Sequence, residues 1–135
     1  MSILLSREDF KEKVFARQKG VCCFCLEKAQ DAHHIIERKL WDNGGYYLDN
    51  GAGVCSLHHW ECEKTTLSPK TVRQACGIST ILLPSILDPT KEYDKWGNII
   101  LPSGKRLKGP LFFEENVQKI LKKANLLDLF EENIK

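Results

Sequence analysis

A chain of 135 residues, 42% hydrophobic and 28% charged, has material for one modest core and enough polar surface to stay in water. Its apolar runs are short, Ile81-Leu82-Leu83 being typical, against the roughly 18 residues of a membrane span. A formal net charge of +2 is too small to name a polyanionic partner by itself.

The opening Met1-Ser2-Ile3-Leu4-Leu5 lacks the basic start and long apolar stretch of a signal peptide, so a cytoplasmic location is expected. In that compartment six cysteines are expected as reduced thiols or metal ligands rather than disulfides.

Residues 1–20 are expected to hold an N-terminal helix over 6–19. Ser6 suits the N-cap, Glu8 and Asp9 the first turn, and Gly20 the stop. Phe10, Val14 and Arg17 share a face at helical spacing. Arg7, Lys11, Lys13, Arg17 and Lys19 in this stretch suit either phosphate contacts or an ordinary solvated surface.

Residues 21–66 carry the chemistry. A tight knuckle at Val21 to Cys25 is followed by an expected strand from Ala29 to Ile36 and a turn at Asp42-Asn43-Gly44-Gly45. A second extended piece runs from Leu48 to Val54, and a helix is expected from Ser56 to Thr66. Cys22 and Cys25 form one C-x2-C pair; Cys55 and His58 form a C-x2-H pair 29 residues later. Two such knuckles can supply a closed tetrahedral zinc site, which contributes folding energy directly in a small domain. The bland alternative is buried free thiols. Cys62 competes for the fourth position, because it lies at i+4 from His58 on the same helical face; His58 is preferred. Cys23 is off the spacing, and Cys76 reads as a small core residue.

All four histidines lie between residues 33 and 59. His59 and Glu63 are also at i and i+4, about 100° around the helix from the His58 and Cys62 stripe. One helix can thus serve a closed structural metal with His58 and an open one with His59 and Glu63. A solvated carboxylate is the competing reading of Glu63.

Residues 67–135 are read as an extension. Ser68-Pro69 opens a short helix that Gly77 ends. Trp96 to Leu107 reads as a hairpin turning at Pro102-Ser103-Gly104. From Glu114 to about Ala124, Val117, Ile120, Leu121 and Ala124 recur at helical spacing, giving an amphipathic helix. Lys105, Arg106 and Lys108 on the hairpin are candidate nucleic-acid backbone contacts.

Residues 22–66, about a third of the chain, resemble the HNH, or ββα-metal (His-Me finger), endonucleases. Asp31-Ala32-His33-His34-Ile35-Ile36 resembles the family's first motif, a metal-binding Asp or His before the catalytic His. Asn50 stands 16 residues after His34 as the central Asn, and Cys55-Ser56-Leu57-His58-His59 resembles the closing motif, usually Cys-x-x-Cys-His. Residues 67–135 look like the tail of some phage and bacterial members.

The resemblance implies an α+β fold with a ββα-metal core and a structural zinc, and hydrolysis of phosphodiester bonds in nucleic acid, DNA ahead of RNA. His34 would be the general base and Asn50 would brace the loop between the strands and orient His34. His33, His59 and Glu63 would hold a catalytic magnesium, manganese or nickel ion, and Arg38 would meet a phosphate oxygen. Cleavage of both strands would call for a homodimer. Two departures stand out. His58 replaces the usual fourth zinc cysteine, and adjacent His33 and His34 would face opposite sides of a regular strand. The rival readings are a non-catalytic zinc-stabilised nucleic-acid-binding module and a structural zinc domain that binds protein.

Overall fold

The computed structural model describes residues 2–131; Met1 and residues 132–135 of the expected extension lie outside the described residues. Helix α1 spans Arg7–Arg17, with the Ser6 hydroxyl accepting from the Asp9 amide. Its core face is Phe10 and Val14. Arg17, on that same face, spends its guanidinium on the backbone: it donates to Leu48 O at 2.9 Å and Gly51 O at 2.6 Å.

Strand β1, Asp31–His34, pairs antiparallel with β2, Gly51–Val54, placing His34 opposite Gly51 and His33 opposite Ala52. Both are shorter than the sequence pattern suggests, and Asn50 is the reason. Its backbone carbonyl accepts from Ile35 N at 2.9 Å, and its side-chain oxygen accepts from Ile36 N at 3.0 Å. The strand therefore leaves its ladder at His34, and Leu48–Asn50 forms a single 3-10 turn rather than strand.

Helix α2, Ser56–Glu63, follows β2. It stops three residues before the expected end because Thr65 sits in the left-handed region at φ 66°. That conformation, unfavourable for a β-branched residue, is held by Arg106, whose guanidinium donates to Thr65 Oγ1 at 2.6 Å.

Helix α3, Pro69–Cys76, has Ser68 as its cap and ends at Gly77 in the left-handed conformation. The expected hairpin forms between β4, Ile99–Ile100, and β5, Arg106–Leu107, around the turn at residues 102–104. It belongs to a larger sheet. Strand β3, Glu92–Tyr93, pairs with β4, and β6, Phe130–Glu131, runs parallel to β5. Trp96 and Gly97 therefore sit in the β3–β4 turn, where the Asp94 carboxylate accepts from the amides of Trp96 and Asn98. Helix α4, Glu115–Lys123, buries Val117 and Leu121.

The fold is thus mixed α+β, with a two-stranded sheet, a four-stranded sheet and four α-helices among the described residues. Two apolar clusters fill it. Ile35 joins Ala52, Val54, Cys62 and Val72 around the knuckles, whereas Ile36 joins Leu40, Trp96, Val117 and Leu121 under the larger sheet. Consecutive isoleucines at the exit of β1 therefore couple the two halves. Among the described residues no helix is long and apolar enough to cross a membrane.

Gly51 tests how tightly α1 seats on β2. A Cβ there would lie 2.5 Å from Val14 Cγ2 and 2.7 Å from Phe10 Cζ, both deep in the interface. Gly51→Ala is expected to lower stability by about 1–3 kcal/mol through overpacking, read as a lower denaturation midpoint in urea. An unchanged midpoint would show that α1 rides loosely over β2.

Candidate metal centres and cleft

The knuckle at Val21 to Cys25 and the start of α2 bring Cys22, Cys25, Cys55 and His58 together, with all four ligand atoms within 4.8 Å of one another. Cys25 Sγ lies 3.8 Å from Cys55 Sγ, and His58 Nδ1 lies 3.3 Å from Cys55 Sγ and 3.7 Å from Cys22 Sγ. A tetrahedral zinc with bonds of ~2.3 Å to sulfur and ~2.0 Å to nitrogen requires edges of ~3.8 Å and ~3.5 Å. The cluster fits such an ion, and a Cys3His set could hold a metal such as zinc. The Cys22 thiol is acidified: burial works against the thiolate, but hydrogen bonds from the backbone of Cys55, Phe24 and Cys25 outweigh it.

His58, not Cys62, completes this group. Cys62 turns instead into the apolar cluster with Val54 and Val72, where burial pushes its thiol up to about 12. Cys23 packs beside the same cluster, close to Cys76, whose side chain raises the Cys23 thiol's pKa.

One residue on, His59 faces the opposite way. His33, His59 and Glu63 form a second group whose ligand atoms lie within 4.8 Å. Glu63 Oε2 is 3.4 Å from His33 Nδ1 and 3.7 Å from His59 Nε2. His59 Nδ1 lies 3.0 Å from Asp31 Oδ2. A carboxylate can only accept, so Nδ1 carries the proton and the Nε2 lone pair is left toward Glu63. Burial keeps the His33 ring neutral, lowering its pKa to about 3. The Glu63 carboxyl is held down at about 2; burial opposes this, but His33 and the Lys95 ammonium prevail.

His34 lies on the other side of β1, boxed by aromatic rings. Phe10 stacks on it at 4.8 Å between centroids, and Tyr46 meets it edge-on at 4.8 Å. Burial, then the Lys95 charge, lower its pKa to about 4, and Nε2 has no hydrogen-bond partner among the described residues. His33 and His34 do face opposite sides, yet both line one open cleft of about 640 Å³, because the strand ends at His34.

Asn50 is buried, and its hydrogen bonds among the described residues do not include His34. Its amide donates to Ile36 O and Gly45 O, each at 3.1 Å, closing the segment that follows His34 and the turn that carries Tyr46. It is therefore a brace acting on backbone, not a direct partner of His34.

Arg38 is exposed at the cleft's rim, joined there by Arg7 and Lys11 of α1. Within the basic hairpin, expected to contact a nucleic-acid backbone outside the active site, Arg106 is corrected. Arg106 is 7% exposed and its guanidinium is spent on Asp94 at 2.9 Å and on Thr65, so it has no fork left for a phosphate. Lys108 leans over the rings of Phe112 and Phe113, and neither it nor exposed Lys105 lines the cleft.

Three contributors escaped the sequence reading. Lys95 is buried and clamps Glu37 Oε1 at 2.8 Å and Glu63 Oε2 at 3.1 Å. Nothing in its local sequence distinguishes it from a surface lysine. Asp31 was visible as period two with His33, which puts both on one face of a strand. Tyr46 gave no signal beyond its place after the glycine turn.

This chain matches no family model, no curated protein and no solved structure among those it was compared with.

The two candidate zinc sets separate cleanly by substitution. Cys22→Ser is expected to lose stoichiometric zinc and cooperative unfolding, whereas Cys62→Ser keeps one zinc per chain by elemental analysis. Retained stoichiometric zinc in Cys22→Ser would overturn both sets, and loss of zinc in Cys62→Ser would put Cys62 in the place of His58.

Proposed function

We propose that this chain is a metal-dependent endonuclease of the HNH, or ββα-metal, type, hydrolysing phosphodiester bonds in nucleic acid, DNA ahead of RNA. One observation carries the reading. A neutral imidazole, His34, and a two-histidine, one-carboxylate cluster, His33, His59 and Glu63, open onto the same cleft. Packing alone does not explain that convergence: His34 Nε2 is buried with no hydrogen-bond partner among the described residues, and His33 Nδ1 has only the Glu63 carboxylate, at 3.4 Å. The β1–β2–α2 order over residues 31–63 and the motifs quoted above support the same family.

In this reading His34 takes the proton from the attacking water. With its pKa lowered to about 4, the ring is unprotonated at neutral pH and its lone pair is available. A bound phosphate would bring negative charge beside it and raise its basicity toward the useful range. Phe10 and Tyr46 fix the ring's plane, and Asn50 fixes the backbone on either side of it.

A divalent cation held by His33, His59 and Glu63 would neutralise charge on the scissile phosphate and on the leaving oxygen. Two imidazoles beside one carboxylate suit manganese, nickel or zinc better than magnesium, which prefers oxygen and water. Asp31 fixes the His59 tautomer, and Lys95 aims the Glu63 carboxylate into the group. Arg38, Arg7 and Lys11 would meet phosphates flanking the cut.

The test is cleavage of supercoiled plasmid with magnesium, manganese or nickel added. Wild type is expected to cut, best with manganese or nickel. His34→Ala should cut at least ~10²-fold more slowly with zinc content and DNA binding unchanged. A wild type that cuts neither DNA nor RNA with any of these ions leaves a non-catalytic zinc-stabilised binding module in its place.

A further inference from the structure

A second basic surface, apart from the hairpin, lies on other elements. Trp60 is 38% exposed in the middle of α2, and with Ile120 of α4 it lines a groove of about 500 Å³. A single exposed aromatic would need no explanation. This one is ringed by Lys119, Lys122 and Lys123 along the groove, and Lys64 Nζ lies 5.7 Å from its ring centre. Lys119 has only an i,i+4 pair with Glu115 at 3.7 Å, both more than 70% exposed, which is too weak to occupy it. Lys122 and Lys123 have no ion-pair partner among the described residues. Last-turn lysines also suit the helix dipole, so it is Trp60 that gives the group its meaning.

The groove lies on two helices that also contribute residues to the cleft. His59 and Glu63 of α2 and Asn116 of α4 line the cleft; Trp60 directly follows His59, and Lys119, Ile120 and Lys123 follow Asn116 at helical i+3, i+4 and i+7. The same two helices wall both. From residue 116 to residue 120 the helix rises about 6 Å, under two nucleotide steps at the ~3.4 Å spacing of a duplex strand.

We infer that this groove is a stacking subsite for one base of a nucleic-acid strand leaving the cleft, with Lys119, Lys122 and Lys123 on its phosphates. The inference rests on the nucleic-acid reading above and sharpens its substrate class. Both faces of a base inside a duplex are covered by its neighbours, so an indole can stack only on an unpaired or splayed base. The preferred substrate is therefore nucleic acid with a single-stranded segment beside the cut.

The experiment uses the zinc-loaded full chain with His34→Ala, so that binding is read without cleavage. Fluorescein-labelled oligothymidylate and a blunt duplex of equal length are titrated by anisotropy. Trp60→Ala and Trp60→Leu are each expected to weaken oligothymidylate binding roughly tenfold and leave duplex binding within twofold. Trp60→Phe should keep most of the affinity. Lys119→Gln with Lys123→Gln should weaken both probes and flatten the salt dependence. Single-strand affinity within twofold of the parent in Trp60→Leu, with zinc retained, overturns the subsite. An equal loss on both probes does so too, as does tighter binding of polyglutamate than of oligothymidylate, which would assign the surface to an acidic peptide. If wild type cuts plasmid but the His34→Ala parent shows no Trp60 dependence in binding, the subsite alone is lost. A parent that binds neither probe loses the nucleic-acid reading with it.

Discussion

The turn from Cys55 to His58 sets the rotation of α2, and the cleft depends on that rotation. His58 is directed at Cys22 and Cys55, within 3.7 Å and 3.3 Å. The next residue is displaced by about 100° around the helix and a little along it, so His59 is carried toward Asp31 and His33 with no further instruction. Glu63, one turn later, lands beside both. A quarter-turn roll of α2 would carry His59 and Glu63 away from His33 together, because both ride on the same face. A metal on the Cys3His group would hold that roll against the weak intrinsic stability of an eight-residue helix.

The other end of α2 is fixed by the extension. Trp96 Nε1 donates to Glu63 O at 2.9 Å, Arg106 holds Thr65, and Lys95 holds the Glu63 carboxylate. These three residues come from the β3–β4 turn and β5, and the turn itself is made rigid by Asp94, which accepts from Trp96 N, Asn98 N and Asn98 Nδ2. Burying the Asp94–Arg106 pair costs solvation, and the hydrogen bonds around it offset that cost. Its return is geometric: the extension registers on α2 at one place. Residues 67–131 are therefore part of the site rather than an appendage to it, through Lys95, Trp96 and Asn116.

Local features were legible in the sequence because they are encoded locally. Ser6 and Ser68 cap helices, Gly77 ends one, and the Cys-x2-Cys and Cys-x2-His spacings close on one another. The spacing of His58, His59 and Glu63 gave the division of α2 into two faces. What could not be read is what depends on distant partners. Arg106 looks like Lys105 and Lys108 along the chain; only the fold brings Asp94 and Thr65 to it. Lys95 acquires its meaning from Glu37 and Glu63, 58 and 32 residues away in sequence. Strand lengths were overestimated because propensity does not reveal that the Asn50 side chain replaces a ladder bond at Ile36.

Charge around the second group completes the argument. Glu37 and Glu63 converge on the Lys95 ammonium, at 2.8 Å and 3.1 Å, and half-exposed Asp31 meets His59 at 3.0 Å. An unpaired charge at a partly buried site is costly, and Lys95 is the buried cation that offsets the two inner carboxylates. Lys95 matters to this balance in a second way. Its ammonium lies 3.1 Å from the same Glu63 oxygen that faces His33 and His59, so it competes with any ion for that oxygen and keeps the carboxylate pointed inward when no ion is bound. Lys95 thus holds the His33, His59 and Glu63 group in its geometry from the side of the extension.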